Sequence, residues 1–393
     1  MSLEMLDTRQ ESMNCAVSDD ETLTRRRRRF GVLRPATLAL RCVAVESVNG
    51  DKTMTGIGWG CIGTGNIASA MGEQLAMLPR AVPVAICSAT GRRMDVEQLF
   101  GFRKVVENVD QLLAIQEIDI VYVASANTDH ARHSIAALRA GKHVLCEKPI
   151  AMNEEEAETV ISIATRRNLL FMDGTFQAYL PVFKQLSTII KERGPAQIIQ
   201  LHKKIKTGLM QQSPLLTSAA LGGGIYDGTG SYTAHILVSL MGVNAIGGVR
   251  PRHVRVQSAS IGKVDWSTTA SIDFPSGTQV TLSHLAHDEQ RMSKVVFQCG
   301  SVEFDLPKLK RVTIDGQPLS NDVQSTERGV HPGLGHEAAH AMELIEKNQI
   351  ESPLLPHNTS LAMMHVMDLI RVNIPTHVLY KPPSPTSVCE SEV

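Results

Sequence analysis

Two short segments hold the residues of this chain whose types and spacing can do chemistry: Gly63-Thr64-Gly65-Asn66-Ile67-Ala68 and, about eighty residues on, Glu147-Lys148-Pro149. A Gly-x-Gly-x-x-Ala run at a strand-to-helix junction serves a phosphate. Gly63 allows the tight turn, Gly65 lets backbone approach a pyrophosphate, Ala68 lets the helix pack on the strand, and the amides around Asn66 and Ile67 face the phosphates. Lys148 follows a short apolar run, so an amine is expected where a strand ends. In a desolvated site such an amine has a lowered pKa and holds or relays the proton that leaves a hydroxyl as its carbon loses hydride. Glu147 is expected to orient Lys148 or a cofactor, and Pro149 to fix the turn, with a cis peptide as one option.

The run Cys87-Ser88-Ala89-Thr90-Gly91-Arg92-Arg93 lies about twenty residues past the glycines, where NAD-preferring proteins place an acid on the ribose 2'-hydroxyl. No acid is there. Ser88, Arg92 and Arg93 can instead hold a 2'-phosphate, so NADP is expected ahead of NAD, although the two arginines also fit a solvated loop. Farther on, Ala124-Ser125-Ala126-Asn127-Thr128-Asp129-His130 offers Asn127 and His130 at another strand end as cofactor-side contacts. For His130 an ordinary helix-start residue is an equal reading.

The elements that must position these residues are readable from Gly56 onward. Apolar runs at Ile57–Ile62, Val82–Cys87, Ile118–Ala124 and His143–Cys146 alternate with helix-like stretches, the first at Asn66–Met77. Such alternation predicts parallel βαβ units with both sheet faces covered. Asn153 with Glu156 predicts a capped helix to Arg167, and Leu169–Met172 one more strand. Past about residue 180 the runs Ile198–Ile205, His253–Ala259, Thr268–Phe274, Gln279–Leu285, Val295–Gln298 and Ser301–Leu306 predict a mostly antiparallel sheet, with Ser276-Gly277 in a hairpin. Helices at about Glu337–Lys347 and Thr359–Val372 close the chain.

Residues 1–53, polar and carrying the Arg25–Arg29 run, read as a disordered or non-native extension, with Met54 as a possible native start; residues 381–393 read as a loose tail. Asp19, Asp20 and Glu21 ahead of the arginines speak against an organellar presequence. The net charge of -1 gives no reason to expect nucleic acid or an anionic membrane as partner, and no apolar run is long enough to span a bilayer. Seven scattered cysteines without paired spacing point to reduced thiols in a cytoplasmic protein. His336-Glu337-Ala338-Ala339-His340 matches a bare zinc-protease pattern, and His331 lies nearby, yet no further ligand completes a site, so no metal is expected.

Gly63-x-Gly65-x-x-Ala68, Asn127-x-x-His130 and Glu147-Lys148-Pro149, in this order, resemble the glucose-fructose oxidoreductase, inositol dehydrogenase and rhizopine-catabolism (Gfo/Idh/MocA) family over roughly residues 55–375. The resemblance implies an N-terminal Rossmann domain (residues 54–178) and a C-terminal α+β domain (residues 179–380) whose open antiparallel sheet forms a subunit interface in a homo-oligomer, dimer or tetramer. It also implies NAD(P)-dependent redox chemistry at a carbinol or carbonyl of a small molecule, commonly a sugar or cyclitol.

The family's third motif, a glycine-rich turn then Asp-x-Gly-x-His on a helix, falls on Gly222-Gly223-Gly224-Ile225-Tyr226-Asp227-Gly228-Thr229-Gly230-Ser231-Tyr232-Thr233-Ala234-His235. Gly228 takes the aspartate position, Asp227 is displaced by one, and Tyr232 stands for the histidine, as in the dimeric dihydrodiol dehydrogenase branch. A phenol beside a lysine ammonium has its anion stabilised, so Tyr232 is the first candidate for acid/base chemistry with Lys148 lowering its pKa; His235, one helical turn on, is the second. A helix-packing tyrosine is the plainer reading of Tyr232. Where the family often has Glu and later Arg-Phe-x-Pro, this chain has Asp173 and Ala178-Tyr179-Leu180-Pro181. His202, Lys203, Lys204 and Lys206 lie on a strand whose alternation sends Lys203 to one face and Lys204 and Lys206 to the other; one face could touch substrate, but a solvated sheet surface is the plainer reading. The expected activity is hydride transfer between nicotinamide and a sugar, cyclic polyol or trans-dihydrodiol; the alternatives are a non-catalytic dinucleotide-binding regulator and a biliverdin-reductase-like enzyme.

Overall fold

The computed structural model describes residues 56–88, 101–247, 253–289, 291–319 and 332–374. Residues 1–53 and 381–393, together with Arg92, Arg93 and His331, lie outside them. The first half runs β1 (Ile57–Ile62), α1 (Asn66–Met77), β2 (Ala81–Cys87), β3 (Lys104–Val106), α2 (Val109–Leu113), β4 (Ile120–Val123), α3 (His130–Arg139), β5 (His143–Glu147), α4 (Glu154–Arg167) and β6 (Phe171–Gly174). Its strands pair in parallel in the order β3-β2-β1-β4-β5-β6. Every residue of β1 and β4 is buried, as expected of central strands covered by helices on both faces. Strand order reverses between β1 and β4, so the crevice at their carboxyl ends is the place where such sheets take a ligand.

Local chemistry explains the boundaries. Asn153 Oδ1 accepts from the Glu156 amide at 2.8 Å and Glu156 Oε2 from the Met152 amide at 3.0 Å, which fixes the start of α4. Asn168, left-handed at φ 52°, ends it after Arg167. β3 is a three-residue edge strand, too short to show a sequence period.

The second half runs α5 (Pro181–Glu192), β7 (Ala196–Ile205), α6 (Thr207–Gln212), α7 (Pro214–Thr217), α8 (Ile225–Met241), α9 (Val243–Gly247), β8 (His253–Ile261), β9 (Val264–Asp273), β10 (Gln279–Ala286), β11 (Ser293–Phe297), β12 (Ser301–Phe304), β13 (Val312–Ile314) and β14 (Gln317–Pro318). The sheet order is β14-β13-β12-β11-β7-β10-β9-β8, antiparallel except for the pairing of β7 with β10. Gly277, at φ 90°, donates to the Phe274 carbonyl at 2.9 Å and turns the chain from β9 into β10. The long helix α8 packs on β7, β9 and β10, and thirteen of its seventeen residues are buried. α10 (Pro332–Glu346) then packs on α1 and the turn 176–179, and α11 (His357–Arg371) on α4 and α8, so α11 joins the two sheets' layers. Among the described residues no helix is long and apolar enough to cross a membrane.

Candidate active site

The turn after β1 is shaped by what surrounds it. Gly63 has φ 123°, its amide donates to the Cys87 carbonyl at 2.9 Å, and a Cβ there would lie 2.1 Å from the Ala124 carbonyl oxygen. Only glycine allows this turn to press between the ends of β2 and β4. Gly65 and Asn66 are exposed, no atom lies within 4 Å of where a Cβ on Gly65 would be, and α1 carries neither a side-chain cap nor an acid in its first turn. Open amides at an uncapped helix start fit a pyrophosphate. Ser88 is buried at the end of β2, beside this turn.

Asn127 and His130 both lie beside the end of β4 and bond to backbone there. Asn127 Nδ2 donates to the Gly222 carbonyl at 2.8 Å, tying the end of β4 to the glycine turn before α8. His130 is 1% exposed, with Nδ1 at 2.7 Å from the Pro149 carbonyl and Nε2 at 3.2 Å from that of Ser125. His130 thus sits between two strand-end loops, where a neutral ring can donate to one of the two carbonyls. Burial lowers its pKa despite the two carbonyls.

Lys148 stands at the end of β5, and its peptide bond to Pro149 is cis. Glu147 accepts from the Tyr122 hydroxyl at 2.6 Å and from the Lys148 amide at 3.2 Å, which anchors the loop. Lys148 Nζ donates to the Gly228 carbonyl at 3.1 Å and lies 5.3 Å from the centre of the Tyr232 ring. Gly228 and Tyr232 are one helical turn apart, so one face of α8 supplies both contacts. The partner of Lys148 on α8 is thus a backbone carbonyl. Asp227 turns the other way, into a buried ion pair with Arg371 at 2.7 Å. The α8 entry is equally constrained: Gly224 has φ 124°, and a Cβ there would lie 2.3 Å from Asp265 Oδ1, whose carboxylate accepts from the Tyr226 amide.

Tyr232 is 8% exposed and meets Phe176 edge-on, 5.6 Å between ring centres. Its pKa runs opposite to the sequence expectation. Burial raises it well above the usual phenol value, and the nearby charges of Glu147, Glu337 and Asp173 raise it further. The phenol form of Tyr232 is therefore favoured over the phenolate. His235 is not brought to Lys148: it is 1% exposed, stacks on Phe183 at 4.6 Å, and its Nδ1 takes Gln177 Nε2 at 2.9 Å. Burial lowers its pKa to about 3, so it is a neutral packing residue.

Three groups that sequence reasoning did not place complete the surroundings. Gln177 Nε2 also donates to the Tyr232 carbonyl at 2.7 Å, fixing α8 against the turn 176–179. Glu337, from the His-Glu-x-x-His run, turns inward at 0% exposure with neither carboxylate oxygen bonded among the described residues. Burial, then the charges of Glu147 and Asp173, push its pKa well up. His340 Nε2 lies 2.9 Å from Ser352 Oγ, and no cluster among the described residues is arranged to hold a metal. Lys203 departs from the solvated-surface expectation: the residue is half-buried, with its amine 5.6 Å from the centre of the Tyr232 ring. Desolvation, then the charges of Lys148, Lys204 and Lys308, push its pKa down to about 7.

Comparison with known proteins agrees with this architecture. Residues 57–175 match the model of an oxidoreductase family with an NAD-binding Rossmann fold, Gfo/Idh/MocA. The chain is 23% identical over 331 residues to trans-1,2-dihydrobenzene-1,2-diol dehydrogenase of Bos taurus, covering 80% of this chain and 95% of that one. The Homo sapiens enzyme of the same name is 23% identical over 332 residues, again 80% and 95%. Among solved structures, a levoglucosan dehydrogenase in complex with NADH and L-sorbose superposes with a TM-score of 0.71 at 16% identity, covering 84% of this chain and 99% of that one. A 3-ketoreductase from Actinomadura kijaniata in complex with NADP gives 0.67 at 21%, covering 81% and 98%. The phosphate turn at Gly63, the switch-point crevice and the lysine at the end of β5 thus lie within residues 57–175, the stretch that is similar to the NAD-binding Rossmann part of Gfo/Idh/MocA oxidoreductases, and fit an NAD(P)-dependent oxidoreductase.

Proposed function

We propose that the protein is an NADP-preferring dehydrogenase of a sugar, a cyclic polyol or a trans-dihydrodiol, with Tyr232 and Lys148 handling the hydroxyl proton. The observation that carries this is the convergence of Lys148, from the carboxyl end of β5, with Gly228 and Tyr232, from one face of α8. Gly63, Gly65, Asn66, Ile67 and Ser88 would hold the dinucleotide, and when bound its nicotinamide supplies or accepts the hydride. In the reducing direction Tyr232 gives its hydroxyl proton to the carbonyl oxygen, and the Lys148 ammonium stabilises the phenolate left behind. Oxidation runs through the same groups in reverse. The preference for NADP rests on Ser88 and on the absence of an acid between Cys87 and Arg93, where Arg92 and Arg93 can pair with a 2'-phosphate.

The named relatives make a trans-dihydrodiol one member of the substrate panel. A cytoplasmic setting fits the free buried thiols Cys61, Cys87 and Cys146. Self-association through the face of the second sheet turned away from α8 fits exposed residues such as Ile198 and Gln200 on β7. Purified protein given NADP or NAD and a panel of polyols, aldoses and dihydrodiols should change the absorbance of the reduced cofactor, faster with NADP. Cofactor binding without turnover of any panel member overturns the proposal.

A further inference from the structure

Lys203 belongs to the inner face of the second sheet. Leu201 and Ile199, two and four residues before it, are buried on that face, and its register partner on β10 is His284. His284 is itself buried and bonded through its ring nitrogens to Thr229 and Thr233 of α8. The Lys203 side chain therefore runs between sheet and helix to the same phenol that Lys148 reaches from the Rossmann side. The two amines lie 5.6 and 5.3 Å from the centre of one ring.

Such a pair is expensive unless something compensates it, because enclosed like charges raise each other's cost. Lys148 donates to the Gly228 carbonyl, and Lys203 to the carbonyl of Lys204 at 2.6 Å. Lys294 pairs with Glu303 and Lys347 with Glu343, whereas among the described residues neither Lys148 nor Lys203 has an ion pair. Glu147 and Asp173 act on Lys148, but the charges bearing on Lys203 are the cations Lys148, Lys204 and Lys308. Packing alone would be met by another aliphatic residue, as at Ile199 and Leu201. We propose that Lys148 and Lys203 together receive an anionic group, a carboxylate or a phosphate, on the substrate whose carbinol faces Tyr232. The proposal rests on the dehydrogenase reading above and narrows its substrate class to acidic sugars or polyols.

The test uses the full chain saturated with NADP or NADPH and matched compounds: D-glucose with D-glucuronate and D-glucose 6-phosphate, and D-galactose with D-galacturonate. Binding is read by calorimetry and turnover by cofactor absorbance. At least one acidic member should bind, and turn over, roughly 10-fold or more better than its neutral partner, the range of a charge-assisted hydrogen bond. Added salt should weaken the acid and not the neutral compound. Lys203→Met should bring the acid-to-neutral ratio near one and Lys203→Arg should keep most of it. The carboxylate and phosphate arms tell the two anions apart. The proposal is overturned if no acid exceeds its neutral partner in either readout, or if Lys203→Met leaves the ratio unchanged. Failure of the dehydrogenase reading looks different: no absorbance change with any compound while calorimetry still separates acid from neutral.

Discussion

At the scale of single residues, the protonation of Tyr232 decides what the site can do. Burial and three nearby carboxyl groups hold the phenol proton, while Lys148 offers the one charge in contact with the ring from the β5 side. Tyr232→Phe should cut kcat by about 100- to 10,000-fold, the usual worth of a positioned acid, with NADPH binding retained by fluorescence titration. Lys203 has the opposite balance: the folded protein favours its neutral amine, with a pKa of about 7 against 10.5 for a free lysine. That burden is absent above pH 10.5, grows as pH falls, and is complete below about 7. Lys203→Met should therefore melt higher than the parent at pH 7 by scanning calorimetry, with the gap narrowing as pH rises toward 10.5. Lys148, Gly228 and Tyr232 were legible because one sits in a tripeptide motif and the other two sit one helical turn apart. Lys203, Gln177 and Glu337 were not, since each meets the site across a separation of tens of residues that no local pattern encodes.

At the scale of elements, α8 is held by polar contacts as much as by its apolar length. Asp227, displaced from the family's aspartate position, accepts from Arg371 Nε at 3.1 Å and Nη2 at 2.7 Å, joining α8 to α11. Asp227→Asn leaves a buried guanidinium with Asp368 as its remaining carboxylate partner, and should cost on the order of 3 kcal/mol, read as a lower urea midpoint at unchanged slope. His284 bridges Thr229 and Thr233 and meets Tyr226 edge-on at 5.0 Å, and burial lowers its pKa to about 3. A histidine held neutral in the fold contributes stability that is present above its unfolded value of about 6.5 and lost as pH falls toward about 3, at most about 1.4 kcal/mol per pH unit. The stability gap between the parent and His284→Gln should thus be widest near pH 7 and close as the solution is acidified. The α4 boundaries were legible from Asn153 and Glu156, whereas the parallel pairing of β7 with β10 was not, because strand runs carry no record of direction.

At the scale of the whole molecule, the site exists only where the two halves meet. The Rossmann half provides the phosphate turn and Lys148, the second sheet provides Lys203, and α8 lies between them; the bond from Asn127 to Gly222 crosses the seam. Asn127→Ala should loosen that seam and raise KM for the substrate more than the dissociation constant for NADPH, since the bond it removes fixes the glycine turn and not the phosphate turn. The fold class was legible from alternation of period alone, while the seam depends on contacts such as Lys148 with Gly228, eighty residues apart. The most direct measurement is the single-turnover change in cofactor absorbance for the parent and Tyr232→Phe, each saturated with NADPH and given the carbonyl form of the best panel substrate. The parent should oxidise NADPH, and the variant should do so at least about 100-fold more slowly. Equal rates in the two proteins would contradict proton donation by Tyr232.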